Sequence, residues 1–265
     1  MDLDFKGKVA LVTGAGSHIG FGKEIAILLA REGCDTVAVT DINLEDAEKT
    51  AEAIRKLGSK SFAVKADITE KAEIDSMVKK VVDKCGRIDI LCNVAGAILH
   101  KDNVPLEEQK EEIWAKQINL NLFGTMLVSQ AVLPHMKQQK HGVIVNVGSG
   151  STHQYNMGVG MYAISKAAID VFTKQLAKTE AKSGIRVNCV APGPAPTNFG
   201  AVLREGMPPP TEEQKKQRQV MIAQIIPLGR FGTAVDIANA VVFMASDVTG
   251  YVTGQVFHVS GGSVM

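Results

Sequence analysis

The sequence predicts an α/β protein: a parallel sheet with helices packed on both of its faces. Short β-rich apolar runs alternate with longer amphipathic ones along nearly the whole chain of 265 residues, the pattern of repeated strand–helix units. Strand candidates such as Val9–Val12 are apolar without alternation, as expected of strands covered on both sides. A glycine-rich turn separates the first strand candidate from the first helix candidate.

Lys8–Thr13 reads as the first strand, followed by a helix over about Ile19–Glu32. Thr36–Thr40 is the second strand, and Leu44–Leu57, rich in Ala, Glu and Lys, the next helix. Ser61–Lys65 and Ile88–Asn93 are strands three and four, with a helix over Glu70–Cys85 between them. One long helix is expected from about Glu107 to Met136, with Pro134 as its point of interruption. Val143–Val147 is strand five, Met161–Lys182 a helix, Arg186–Val190 strand six, Val235–Ala245 a helix and Gln255–Val259 a last strand. Residues 194–227, with Pro208-Pro209-Pro210 and a charged segment from Glu212 to Arg218, break the rhythm. A stretch of that length is more often a lid over a site than a plain connection. No internal repeat or second-domain boundary is visible, so a single domain is expected.

Net charge is +1, with 29 basic and 28 acidic residues. That balance gives no electrostatic case for nucleic-acid or membrane binding. No apolar run reaches the roughly 18 residues of a membrane span, and Met1–Phe5 lacks the pattern of a signal peptide. A cytoplasmic protein is expected. Cys34, Cys85, Cys92 and Cys189 form no Cys-x-x-Cys pair and read as free thiols of a reducing compartment. No cluster has zinc-ligand spacing.

Thr13-Gly14-Ala15-Gly16-Ser17-His18-Ile19-Gly20 follows the first strand and opens a helix. Glycines there let the backbone turn tightly and approach a pyrophosphate, whose charge the helix start favours. Asp41, ending strand two, can accept hydrogen bonds from both ribose hydroxyls of NAD and would repel the 2′-phosphate of NADP. NAD is therefore the expected cofactor, NADP the less favoured. Asp41 could instead cap the helix beginning near Leu44. Asp67, after strand three, could hold the adenine edge or cap the helix that follows.

Taken with Asn93-Val94-Ala95-Gly96, Asn121, Ser149, Tyr162-x-x-x-Lys166, Pro192-Gly193, Tyr251-Val252-Thr253-Gly254-Gln255 and Ser260-Gly261-Gly262, these residues form an ordered set. In it the chain resembles the short-chain dehydrogenase/reductase family over nearly its whole length. The resemblance implies a Rossmann-type, doubly wound, mostly parallel sheet of about seven strands in a three-layer sandwich. It also implies a nicotinamide cofactor and a homotetramer or homodimer. Its implied cofactor contacts fall on Gly14, Ser17, His18, Ile19, Gly20, Asp41, Asp67, Ile68, Asn93, Tyr162, Lys166, Ala195 and Thr197. Asn121, Ser149, Tyr162 and Lys166 are the implied catalytic residues, Asn121 holding a water beside the lysine. Asn119 is the nearby competitor for that role.

Tyr162 and Lys166 share a helix face. Bringing a tyrosine from a pKa near 10 to about 7 requires roughly 4 kcal/mol of preferential anion stabilisation. An ammonium about 4–5 Å away at an effective dielectric near 20 supplies about that much. Tyr162 is then a general base in oxidation and a general acid in reduction, and Ser149 bonds the substrate oxygen as charge develops there.

The chain departs from the family pattern at three places: His18 stands for a glycine, Val94 for an asparagine and Ser260 for an aspartate. If position 18 needs φ > 0, the histidine costs roughly 1–2 kcal/mol. Pro196 removes an N–H donor beside the expected nicotinamide segment.

The reading is NAD-dependent oxidation of a secondary alcohol, or reduction of the matching ketone. A 3-oxoacyl-thioester reductase is the alternative within the class, and a silent binding subunit the alternative outside it. The substrate pocket is expected along Ala97–His100, Ser151–Met157 and the lid, with His153, Gln154, Tyr155 and Asn156 as polar contacts. Lys215, Lys216 and Arg218 are candidates for an anionic group such as CoA.

Overall fold

The computed structural model describes residues 3–99, 105–153, 160–196 and 211–265. Its centre is a seven-stranded sheet in the order β3-β2-β1-β4-β5-β6-β7, parallel at every pairing. The strands are β1 (Val9–Thr13), β2 (Thr36–Asp41), β3 (Lys60–Lys65), β4 (Ile90–Asn93), β5 (Gly142–Val147), β6 (Ile185–Pro192) and β7 (Val256–Val259). Strand order reverses between β1 and β4, and the crevice at that reversal is where open α/β sheets bind ligands. The doubly wound sandwich expected from the sequence is the one found.

Two apolar cores lie on opposite faces of the sheet. One packs α1 (Phe21–Arg31), α2 (Leu44–Arg55) and α8 (Ala234–Ala245) on the sheet through Ile25, Leu29, Ile54 and Val241. The other packs α3 (Lys71–Cys85), α5 (Gly124–Gln139) and α6 (Gly160–Glu180) through Met77, Val132 and Leu176. Among the described residues no helix is long and apolar enough to cross a membrane. All four cysteines are free; Cys34, Cys92 and Cys189 are buried, and burial pushes the Cys34 thiol up to about 12.

The long helix expected over 107–136 is four pieces. A single 3₁₀ turn (Leu106–Glu108) precedes α4 (Glu111–Ile118), and a π turn (Asn119–Phe123) separates α4 from α5. The helix runs through Pro134 to Gln139, so the proline is not the interruption. The winding widens instead at Asn121, and π turns of this kind gather at functional sites.

Asn43 caps α2, its side chain accepting from the Asp46 N–H, and Thr233 with Asp236 forms a capping box on α8. Thr233→Ala is expected to cost about 1 kcal/mol, read as a lowered melting temperature with activity unchanged. Within 194–227, α7 (Glu212–Ile225) is a helix of its own. The segment is anchored after α7: Ile226 is buried and sits where a Cβ on Gly261 (φ +63°) would be 2.7 Å from its Cγ2. The Ser260-Gly261-Gly262 motif is thus the seat of this anchor, and Ser260 Oγ bonds both the N–H and the carbonyl of Val264.

Candidate active site

The glycine-rich turn is fastened on three sides. Ala15 N–H donates to the Thr40 carbonyl (3.1 Å), Gly16 N–H to Asp41 Oδ2 (2.8 Å), and Thr50 Oγ1 to the Ala15 carbonyl (2.7 Å). Gly14 has φ +66°, and a Cβ on it would lie 2.7 Å from Ala95 Cα. Gly14→Ala is therefore expected to cost at least about 1–2 kcal/mol from the left-handed backbone alone. The same change should raise the KM for the dinucleotide, checked by melting and by initial rates.

A cavity of about 550 Å³ opens at the C-terminal ends of β1–β4. Gly14, Ser17, Ile19, Gly20, Asp41, Asp67 and Ile68 line it, together with Val94–Ala97. The N-cap of α1, Gly20, carries no side-chain cap, so the helix start is open to an anion. A dinucleotide fits this donor set: a tight glycine-rich turn, a helix N-terminus and a carboxylate at the β2 end.

Asp41 does not cap α2; that role is Asn43's. Its Oδ1 accepts from the Asn43 N–H (3.1 Å) while Oδ2 holds Gly16. Asp67 closes a local turn, accepting from Thr69 N–H (2.8 Å) and Oγ1 (2.7 Å), and does not cap α3. His18 is not among the positive-φ residues, so the expected strain is absent. It turns away from the cavity to Asp46, 3.2 Å away. The side chain of Asn93 also lies off the cavity wall, its Nδ2 donating to Ser129 Oγ (3.0 Å) and Asn146 Oδ1 (2.9 Å) in the interior. Ala195 is half-buried beside Gly232. Thr197, His100 and Gln154–Met157 lie outside the described residues, as do the side chains of Lys215 and Arg218; Lys216 is exposed.

The catalytic candidates meet at the ends of β5 and α6. Tyr162, Lys166 and Ser149 are all buried. Tyr162 hydrogen-bonds Ser149 through its side chain, and Lys166 Nζ donates to the Val147 carbonyl (2.8 Å) and lies 5.9 Å from the Tyr162 ring centroid. Ser149 Oγ also accepts from Ser151 N–H (3.1 Å) and Oγ (2.9 Å). Burial holds the Tyr162 phenol well above its ordinary value, with the Ser149 bond opposing it. The near-neutral phenol expected from the lysine is therefore not what these side chains set up. Desolvation outweighs the Ser149 bond there. Burial also lowers the Lys166 ammonium to about 8.

Asn121, in the π turn, is fully buried. Its Oδ1 accepts from Ala97 N–H (3.2 Å), and its Nδ2 donates to the carbonyls of Ala97 (2.9 Å) and Gln117 (3.1 Å). Gly96 joins the cavity to this group, since a Cβ there would be 2.6 Å from Asn121 Oδ1 and 3.5 Å from Lys166 Nζ. Asn119, the competitor, lines the cavity instead.

Three positioning residues escaped the sequence reading. Thr13 Oγ1 accepts from the N–H groups of Val94 (3.0 Å) and Ala95 (3.1 Å). Gln117 clamps the same loop, donating to the Ala97 carbonyl (2.7 Å) and accepting from Leu99 N–H (2.9 Å). Thr50 holds Ala15 as described. Thr13 stood at the head of the glycine-rich motif and Gln117 four residues before Asn121, on its helix face; Thr50 carried no signal.

The family model described as enoyl-(acyl carrier protein) reductase matches residues 14–263. A 3-oxoacyl-[acyl-carrier-protein] reductase FabG of Thermotoga maritima is 41% identical over 260 residues, 98% of this chain and 99% of the relative. The (2S)-[(R)-hydroxy(phenyl)methyl]succinyl-CoA dehydrogenase subunit BbsD of Thauera aromatica is 38% identical over 262 residues, covering 98% of both. Among solved structures, a 7α-hydroxysteroid dehydrogenase complexed with NADH and 7-oxo glycochenodeoxycholic acid superposes with a TM-score of 0.88 at 35% identity, over 99% of this chain and 96% of that one. Fold, site and relatives agree: the chain belongs to the short-chain dehydrogenase/reductase family of oxidoreductases.

Proposed function

We propose that this chain interconverts a secondary alcohol and a ketone with NAD as its preferred dinucleotide, acting on a 3-oxoacyl or 3-hydroxyacyl thioester. The observation that carries the reaction is a buried Tyr162, hydrogen-bonded to Ser149, with Lys166 one turn along the same helix face. A bound nicotinamide would supply or accept the hydride at the substrate carbon. The carbonyl oxygen sits between Ser149 Oγ and Tyr162 Oη, Ser149 donates as negative charge develops, and the phenol proton passes to that oxygen. A phenol held protonated by burial suits reduction. The Lys166 ammonium lowers the cost of the phenolate left behind, and Asn121 steadies the loop that borders the lysine. The ring would rest near Ala195 and Thr197.

NAD is supported by Asp41, whose carboxylate stands on the cavity wall at the end of β2. The thioester is supported by the printed activities of the FabG and BbsD relatives. Initial rates with acetoacetyl-CoA and NADH or NADPH test both together. A preference for NADH is expected, and no turnover with either dinucleotide would remove the thioester reading. The reductive rate should hold through neutral pH and fall above about pH 8 as the Lys166 ammonium loses its proton. A homotetramer or homodimer is supported by exposed Phe123, Met126, Ile164 and Val171 on the π turn, α5 and α6. Light scattering on the eluting protein would show a monomer if that is wrong.

A further inference from the structure

On α6, Tyr162 and Lys166 are followed at the same spacing by Asp170, so three ionisable groups stand in one row. Three successive residues at the end of β5 meet that row one by one. The Val147 carbonyl accepts from Lys166 Nζ (2.8 Å). Gly148 faces Asp170, where a Cβ would be 3.1 Å from Asp170 Oδ1 and 2.7 Å from Cys189 Sγ. Ser149 bonds Tyr162. Asp170 also accepts from the Cys189 thiol of β6 (3.5 Å). Nothing in the reaction as described uses this carboxylate.

We infer that Asp170 is a positioning residue: its carboxylate, held behind Lys166 by β5 and β6, keeps the lysine in its ammonium form during turnover. The inference rests on the proposed role of Tyr162 and Lys166. Burial favours neutral lysine, and the Asp170 carboxylate acts on Lys166 in the opposite direction. The groups facing Asp170 are Cys189 from β6, Lys174 from α6, His153 from the turn after β5, and His258 from β7, with Lys166 one turn before it on α6. The two histidine rings meet edge to face at 4.9 Å, and His258 Nδ1 is buried with no partner among the described residues. Burial raises the carboxyl of Asp170, while the thiol and the neighbouring cations offset that.

Asp170→Asn tests this, because the amide oxygen still accepts from Cys189 while the charge is gone. A merely structural role leaves the pH profile in place. The inference expects the alkaline limb of the reductive kcat/KM profile to move at least about half a pH unit lower, and Asp170→Glu to restore it. An unmoved limb in a folded Asp170→Asn protein overturns it. Should the variant fail to fold, the ¹⁵Nζ resonance of Lys166 in the wild-type protein decides. A second inflection as Asp170 ionises at acid pH is expected, and a single inflection contradicts the coupling. Failure here with an inactive Tyr162→Phe enzyme removes Asp170 alone. An active Tyr162→Phe enzyme removes the proposed mechanism instead, and the NMR titration reads the coupling without reference to turnover.

Discussion

Tyr162→Phe is expected to lower kcat for ketone reduction by about 10²–10⁴-fold, the usual contribution of a general acid, with the fold kept. The phenol ring is buried and can be replaced without leaving a void, so the lost oxygen is the only change at the site. That oxygen meets Ser149 Oγ, which then keeps its Ser151 contacts. Initial rates at saturating dinucleotide, with a melting curve beside them, check the effect. A rate within a few-fold of the parent would mean that the proton comes from elsewhere.

The second large effect is on cofactor choice. Asp41→Asn keeps an oxygen that can accept from Gly16 N–H but removes the charge on the cavity wall. Hydrogen bonds to a charged group are worth about 1.5–3 kcal/mol. The NADH-over-NADPH ratio of kcat/KM should therefore fall by about 10- to 100-fold. Some stability is lost as well, because Asp41 also accepts from Asn43 N–H and one amide cannot offer two acceptor oxygens. Melting curves separate that loss from the change in preference, and an unchanged ratio would mean that Asp41 serves only to hold the glycine-rich turn.

Much of this arrangement was legible before any coordinates. Strand–helix alternation carried the sheet and its two cores, and the helical spacing of Tyr162 and Lys166 placed them on one face. What could not be read arises from contacts between distant segments. The break at Asn119–Phe123 leaves no propensity signal, since Asn121 is drawn into the widened turn by its bonds to Ala97 and Gln117. Pro134 looked like the natural breaker, yet α5 runs through it. His18 looked strained by analogy with glycine, and its backbone lies outside the left-handed region. Asn93 looked like a ligand contact because it lies in a motif, while its amide nitrogen is spent on Ser129 and Asn146. The phenol of Tyr162 shows the same limit in energetic form: spacing indicated a lysine near enough to act, but burial, which no spacing reveals, sets the larger effect.

The central claim is hydride transfer to a carbonyl carbon at the Tyr162–Ser149–Lys166 site, and deuterium tracing tests it most directly. The protein is incubated with acetoacetyl-CoA and NADH deuterated at the nicotinamide C4, once for each face of the ring. The product is then read by mass spectrometry and NMR. The expected result is one deuterium at C3 of the hydroxyacyl product, delivered from one face only and lost in Tyr162→Phe. Oxidation of the dinucleotide with no deuterium at C3 from either labelled face would contradict the account.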